Sequence, residues 1–340
     1  MASERLSERF FKRGSEFLGV RYPILSGAMT WVSDARLVAA VCNAGGFGCL
    51  AGGNAPAKVL EDEIRKVREL TTKPFAVNLV TIAPMYKEHL EVVCQQKVPF
   101  VVFAGSFPKE EPVQRVKATG AKVMCFASTD SIAQRMIRYG AEAIILEGME
   151  AGGHVGHVSL IVLLQQVLFA TSAVPVFVAG GLASGRMAAH LLLMGASGIQ
   201  LGTRFAVSEE SPAHPDFKQH FLRANARDAV STPQFDSRLP VVAVRALRNQ
   251  GHDDFSRLQL ELIARLDRKE ITREAAQLEV EKFWMGALRR AVQEGDIKRG
   301  SLMAGQSVGL VDRVQPVADI IRELTDEMEA EFQRVRSSLQ

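Results

Sequence analysis

The chain has 340 residues, 47% apolar and 23% charged, with 41 Lys+Arg against 38 Asp+Glu for a net charge of +3. That length suits one large barrel with an insertion or two ordinary domains, and the composition excludes wholesale disorder. The charge is nearly balanced and no basic run gathers on one face, which argues against a nucleic-acid binder; four scattered cysteines exclude a disulfide framework.

Met1 to Arg13 mixes charged and apolar residues without an unbroken apolar region, so it does not read as a signal peptide. Eight short apolar runs rich in β-branched residues then follow in order: 23–26, 46–50, 75–79, 100–103, 122–126, 143–146, 176–179 and 198–201. Runs apolar on both faces suggest parallel strands covered by helices. The segments between them read as amphipathic helices: 34–43 behind a Ser33 cap, 56–70, 131–139 stopped by Gly140, and 185–194 stopped by Gly195. Eight such units predict a TIM (β/α)8 barrel rather than an open doubly wound sheet. The most apolar stretch, 160–167, is interrupted by Gln165 and Gln166 and is too short to span a bilayer. A cytoplasmic protein with reduced thiols is the expectation.

After Phe205 the pattern changes. Residues 206–300 read as a mostly helical insertion after strand eight that covers the active-site face, with long helical stretches at 216–229 and 255–294 and one β-like exception at 241–244. Residues 301–340 return to the barrel through a glycine-rich turn and a closing helix from Pro316. The expected barrel is therefore 1–205 with 301–340.

The loops after the strands gather at one face of such a barrel and hold its active site. Three clusters stand there. Gly180 and Gly181 after run seven, with Gly202 and Thr203 after run eight, form glycine turns suited to a phosphate, although tight turns alone would also use them. The loop after run six, E-G-M-E-A-G-G-H-V-G-H, displays His154 as a candidate proton-transfer group; His157 and the other histidines read as ordinary hydrogen-bonded residues. Gly27, Ala28 and Met29 after run one, with Asn78 at the end of run three, could read the edge of a heterocycle, a weak signal alone. No spacing suggests a metal and no G-x-S-x-G elbow suggests a serine hydrolase. Cys125 ends run five and reads first as a packing residue, with cofactor contact through its backbone as the alternative.

These segments resemble the nitronate monooxygenase family, also called 2-nitropropane dioxygenases, and the related flavin-dependent enoyl-acyl-carrier-protein reductases. The matching stretches are P-I-L-S-G-A-M (23–29), N-A-G-G-F-G (43–48), F-A-V-N-L (75–79), E-G-M-E-A-G-G-H-V-G (147–156), P-V-F-V-A-G-G-L (175–182), G-A-S-G-I-Q-L-G-T-R-F (195–205) and G-S-L-M-A-G-Q-S-V-G-L (300–310). The insertion matches least. The resemblance implies an FMN-binding barrel whose phosphate sits on Gly180, Gly181, Gly202 and Thr203. The ring would lie against Gly27, Ala28 and Met29, with Asn78 and Gln200 near its polar edge. Glu147, Gly152 and Gly153 would frame the ribityl side, Gln306 would close the pocket, and His154 would be catalytic. The implied reaction oxidises an alkyl nitronate with O2 to a carbonyl compound and nitrite. The alternative is an NAD(P)H-dependent reductase of quinones or enoyl thioesters in the same site, and a non-enzymatic binding barrel is the third reading. Nucleic acid and membrane are not expected partners; a homodimer is compatible with the sequence without being required by it.

Overall fold

The computed structural model describes residues 5–53, 55–239 and 243–340. Eight parallel strands close into a barrel: Ile24–Ser26, Phe47–Ala51, Ala76–Val80, Phe100–Ala104, Lys122–Ala127, Ala143–Glu147, Val176–Ala179 and Gly198–Leu201. Closure is direct, since Leu25 of the first strand pairs with Gln200 of the eighth. The protein is thus a TIM barrel.

Alternation of side chains along each strand divides the core in two. Inward residues such as Leu25, Phe47, Phe100, Met124, Ile145 and Phe177 fill the barrel, and outward residues such as Ile24, Leu50, Val101, Ile144 and Val178 pack under the helices. The N-terminal helix Leu6–Leu18 stoppers the bottom: Leu18 joins the inner core, and the Phe17 ring meets that of Phe100 edge-on with centroids 5.7 Å apart.

Helix starts follow local capping chemistry. The helix Ala35–Asn43 is capped by Asp34, whose carboxylate accepts the Leu37 N–H, and not by Ser33 as the sequence suggested. Ser33 is drawn away because its hydroxyl accepts the Met29 N–H and donates to the Gly27 carbonyl. Thr129 caps Asp130–Arg138 and Ser184 caps Gly185–Leu193 in the same way.

The segment after Phe205 departs further from expectation. The long helix over 216–229 stops at Arg223, because the Asn225 N–H bonds the Asp228 carboxylate 2.7 Å away and turns the chain into a strand, Ala229–Ser231. The stretch 255–294 is two helices, Gln250–Asp267 and Arg273–Glu294; Lys269 adopts a left-handed φ of 59° between them, and Thr272 caps the second. Of the β-like residues 241–244, 241 and 242 lie outside the described residues, and Val244 opens a strand, Val244–Leu247. These helices and strands share their own core of Leu239, Val244, Phe255, Leu262, Ala276, Val280 and Trp284. The chain closes with helix Val317–Ser337, packed on Gly185–Leu193. Among the described residues no helix is long and apolar enough to cross a membrane.

Candidate active site

A cavity of about 490 Å³ lies over the C-terminal ends of the barrel strands, within the range of small-molecule and cofactor sites. Its floor is the uppermost inward-facing layer: Cys49, Asn78, Val102, Glu147, Ala179 and Gln200. Its walls are the loops that follow the strands. The roof is Phe217, Trp284 and Leu288, with Met303, Gly305 and Ser307 from the returning chain.

Gly27, Ala28, Met29, Asn78, Glu147, Gly152, Gly153, His154, Gly180, Gly181, Gln200, Gly202 and Thr203 all line this one cavity. Cys125 does not. It is an outward-facing residue buried among side chains under the helices, where desolvation pushes its thiol up to about 12; its neighbours Phe126 and Ala127 line the cavity instead. Gln306 also lies outside. Its N–H donates to the Glu150 carbonyl at 2.9 Å, and its side chain lines an adjoining groove with Asn225 and Arg227. Sequence reasoning missed the apolar lining: Trp31, Phe107, Phe126, Phe217, Trp284 and Leu288. The spacing of Trp284 and Leu288, four apart on one helix face, was the available signal.

The loop bearing His154 is pinned rather than free. Gly153 and His154 form a short strand antiparallel to Val244–Leu247, with His154 opposite Val244, and Val155 N–H donates to the Ala243 carbonyl at 2.9 Å. Arg245, buried behind this pairing, donates to the Met149 carbonyl at 3.1 Å and to the Ala229 carbonyl at 2.7 Å. Two parts of the chain that are distant in sequence are therefore stapled where His154 meets the cavity.

Three polar side chains interrupt the floor. Asn78 Nδ2 donates to the Val102 carbonyl at 3.2 Å. Gln200 packs so closely on Gly27 that a Cβ there would lie 3.0 Å from its Nε2. Glu147 has no donor or cation partner among the described residues, and burial pushes its carboxyl up to about 8. Burial also lowers the pKa of His154, favouring the neutral imidazole. Both residues are half-buried and line the cavity, and desolvation is the cause of both shifts. No Lys or Arg is among the lining residues.

Two glycines test whether a flavin fits. Gly180 is required by the chain itself: its φ is 93°, and a Cβ would fall 2.8 Å from the Gly148 carbonyl oxygen. Gly202 is not. Its φ is −113°, and the nearest atom to a methyl added there would be Met29 Sδ at 3.6 Å. The space that a side chain at 202 would fill belongs to the cavity. Among the described residues, no protein acceptor takes the N–H of Gly181 or of Gly202. Unpaired amides beside a gap kept open by glycine suit an anionic group, and the amides of Asn78 and Gln200 suit the polar edge of a heterocycle. The residues present therefore fit a flavin phosphate and ring.

A sequence profile described as nitronate monooxygenase matches residues 12–89 and 80–327. The chain is 31% identical over 336 residues to a 5-hydroxy-7a-methyl-1-oxo-octahydro-1H-indene-4-carboxyl-CoA dehydrogenase of Mycobacterium tuberculosis, covering 91% of this chain and 94% of that one. Its fold is similar to that of FabK from Thermotoga maritima, with a TM-score of 0.86, 35% identity, and coverage of 96% and 98%. It is also similar to a nitroalkane oxidase from Streptomyces ansochromogenes, with a TM-score of 0.76, 27% identity, and coverage of 94% and 98%.

Proposed function

The chain belongs to the nitronate monooxygenase family and is a flavin-dependent oxidoreductase, and on that premise we propose that it binds FMN and oxidises alkyl nitro compounds, as their nitronates, with O2 to a carbonyl compound and nitrite. The observation that carries this reading is the His154 imidazole, which burial biases toward its neutral form, set against an apolar wall with no Lys or Arg in the lining. A nitroalkane enters such a site uncharged, its alkyl body against Trp31, Phe217, Trp284 and Leu288. A ring nitrogen of His154 takes the proton from the carbon bearing the nitro group. The imidazolium so formed then holds the nitronate anion, so the step that makes the negative charge also makes its counter-charge.

The flavin supplies the electron transfer between the nitronate and O2. The amides of Gly180, Gly181, Gly202 and Thr203 would hold its phosphate. Gly27, Ala28 and Met29 would back its ring, Asn78 and Gln200 would meet the polar edge, and Glu147, Gly152 and Gly153 would frame the ribityl chain. We read residues 1–205 with 301–340 as the flavin-binding barrel, and 206–300 as the insertion that roofs its active face and excludes water.

One observation favours a second reading, an NAD(P)H-dependent oxidoreductase of enoyl thioesters or quinones. A groove lined by Asn225, Arg227 and Leu310 adjoins the cavity at Gly181 and Ser307, offering a way out for a substrate with a long carrier tail. The Mycobacterium relative is itself described as a carboxyl-CoA dehydrogenase. Oxygen uptake and nitrite release with 1-nitropropane, without pyridine nucleotide, support the first reading. Anaerobic bleaching of the flavin by NADH, with re-oxidation by an enoyl thioester and no nitrite under the first conditions, supports the second.

A further inference from the structure

Glu147 is the last residue of the sixth barrel strand and stands opposite Ala179 of the seventh. Along its strand, Ala143 and Ile145 point into the barrel while Ile144 and Leu146 point to the helices. Alternation therefore aims Glu147 inward, on top of an apolar core and against the floor of the cavity.

A carboxylate there would need partners, and the surroundings supply none. His154 is the imidazole in the same cavity, and burial favours its neutral form. Cys49, on the second strand, has its thiol held protonated by burial. On the fifth strand, Cys125 faces the helices, and Lys122 lies at the opposite end, where its ammonium donates to the Phe17 carbonyl. The seventh strand brings Phe177 and Ala179, which carry no charge. On the loop that follows Glu147, the Glu150 carboxylate is committed to the Leu160 N–H, His157 is exposed, and Arg245 is spent on the Met149 and Ala229 carbonyls. Ionisation would leave a negative charge above an apolar core with no counter-charge. A carboxylic acid instead presents an O–H to the cavity, and the ribityl hydroxyls and ring carbonyls of a flavin accept hydrogen bonds.

We propose that Glu147 stands in the flavin-free protein as a neutral carboxylic acid and meets the bound flavin as a hydrogen-bond donor, so that ionising this one group releases the flavin. This rests on the reading that the cavity binds FMN. Glu147 thereby makes occupancy of the cofactor site, and not merely turnover, sensitive to alkaline pH. The carboxyl is pushed up to about 8 by burial. If only the acid form binds, affinity is level below that point and falls about tenfold per pH unit above it, about thirty-fold in all between pH 7 and pH 9.5.

The test is FMN titration of the flavin-free protein by fluorescence quenching from pH 6.5 to 9.5, for the wild type and for Glu147→Gln. The glutamine keeps a donor that cannot ionise, and ionisations of FMN itself are common to both proteins. The wild type is expected to lose about thirty-fold in affinity while Glu147→Gln stays level. A level wild type, or an equal loss in both proteins, overturns the proposal. A second readout needs no flavin. The infrared carboxylic-acid band of the flavin-free protein at pH 7 should fade toward pH 9.5 and be reduced in Glu147→Gln; an unchanged band in that variant overturns the assignment of the neutral acid. Failure of both proteins to bind FMN at every pH, with that band present, overturns the FMN reading and the donor role with it, while the neutral acid stands.

Discussion

Replacing Gly202 by alanine separates what the chain needs from what its ligand needs. At φ −113° an L residue adopts the backbone without left-handed strain, and the added methyl meets nothing closer than Met29 Sδ at 3.6 Å. The flavin-free protein should therefore keep its stability or gain up to about 1 kcal/mol, because alanine narrows the unfolded ensemble. The same methyl stands in the cavity beside the unpaired amides of Gly181 and Gly202. If it displaces the phosphate from one of them, the lost charge-assisted hydrogen bond is worth about 1.5–3 kcal/mol, a tenfold to hundredfold loss of flavin affinity. Gly180→Ala is the contrasting control: its φ of 93° and the Gly148 carbonyl oxygen 2.8 Å from the new Cβ should cost the fold about 1–3 kcal/mol. Thermal unfolding of the flavin-free variants gives the first quantity, and FMN fluorescence titration gives the second. A Gly202→Ala protein that melts early, or that binds FMN as tightly as the wild type, refutes the idea that Gly202 is reserved for the ligand.

Other consequences concern the loop and the proton. His154→Ala should retain FMN with an unchanged absorption spectrum while losing most nitroalkane turnover; turnover at the wild-type rate would remove His154 from the reaction. Because burial lowers the pKa of His154 below its ordinary value, its base form predominates at pH 7. Activity on neutral nitroalkanes should fall as pH drops through the lowered pKa, below about 6.5, with the preformed nitronate less affected; a fall centred above pH 7 would contradict this. Arg245→Met should destabilise the protein by about 2–4 kcal/mol in urea, since the buried Ala229 carbonyl and the half-buried Met149 carbonyl lose a charged donor, and should speed amide exchange at Val155 more than in the barrel strands.

The barrel was legible because its strands are buried on both faces. Runs such as Ala143–Leu146 are apolar without interruption, and four of the following helices run into a glycine, Gly45, Gly120, Gly140 or Gly195, just ahead of the next strand. Capping was less legible, because Ser33 and Asp34 are both good caps and only the tertiary turn at Gly27–Met29 decides that Ser33 is used elsewhere. The strands Ala229–Ser231, Val244–Leu247 and Gly153–His154 were obscured for a related reason. They are short, and their pairing joins segments far apart in sequence, so local periodicity carries little of it. Strand ends and glycine loops brought most candidate residues to the right face. They left the direction of Cys125 unresolved, because a one-residue shift in position along a strand exchanges cavity for helix layer. The roof residues Phe217, Trp284 and Leu288 were missed because their helices, Pro215–Arg223 and Arg273–Glu294, belong to the segment with the least recognisable pattern.

The central claim is that the cavity above the strands is a flavin site served by His154. Its most direct measurement is the absorption spectrum of the purified protein, followed by chromatography of whatever heat or acid releases from it. One FMN per chain is the predicted result, recovered by adding FMN to any protein that has lost it. Colourless protein that takes up no flavin, at a concentration saturating for a micromolar site, would contradict the account.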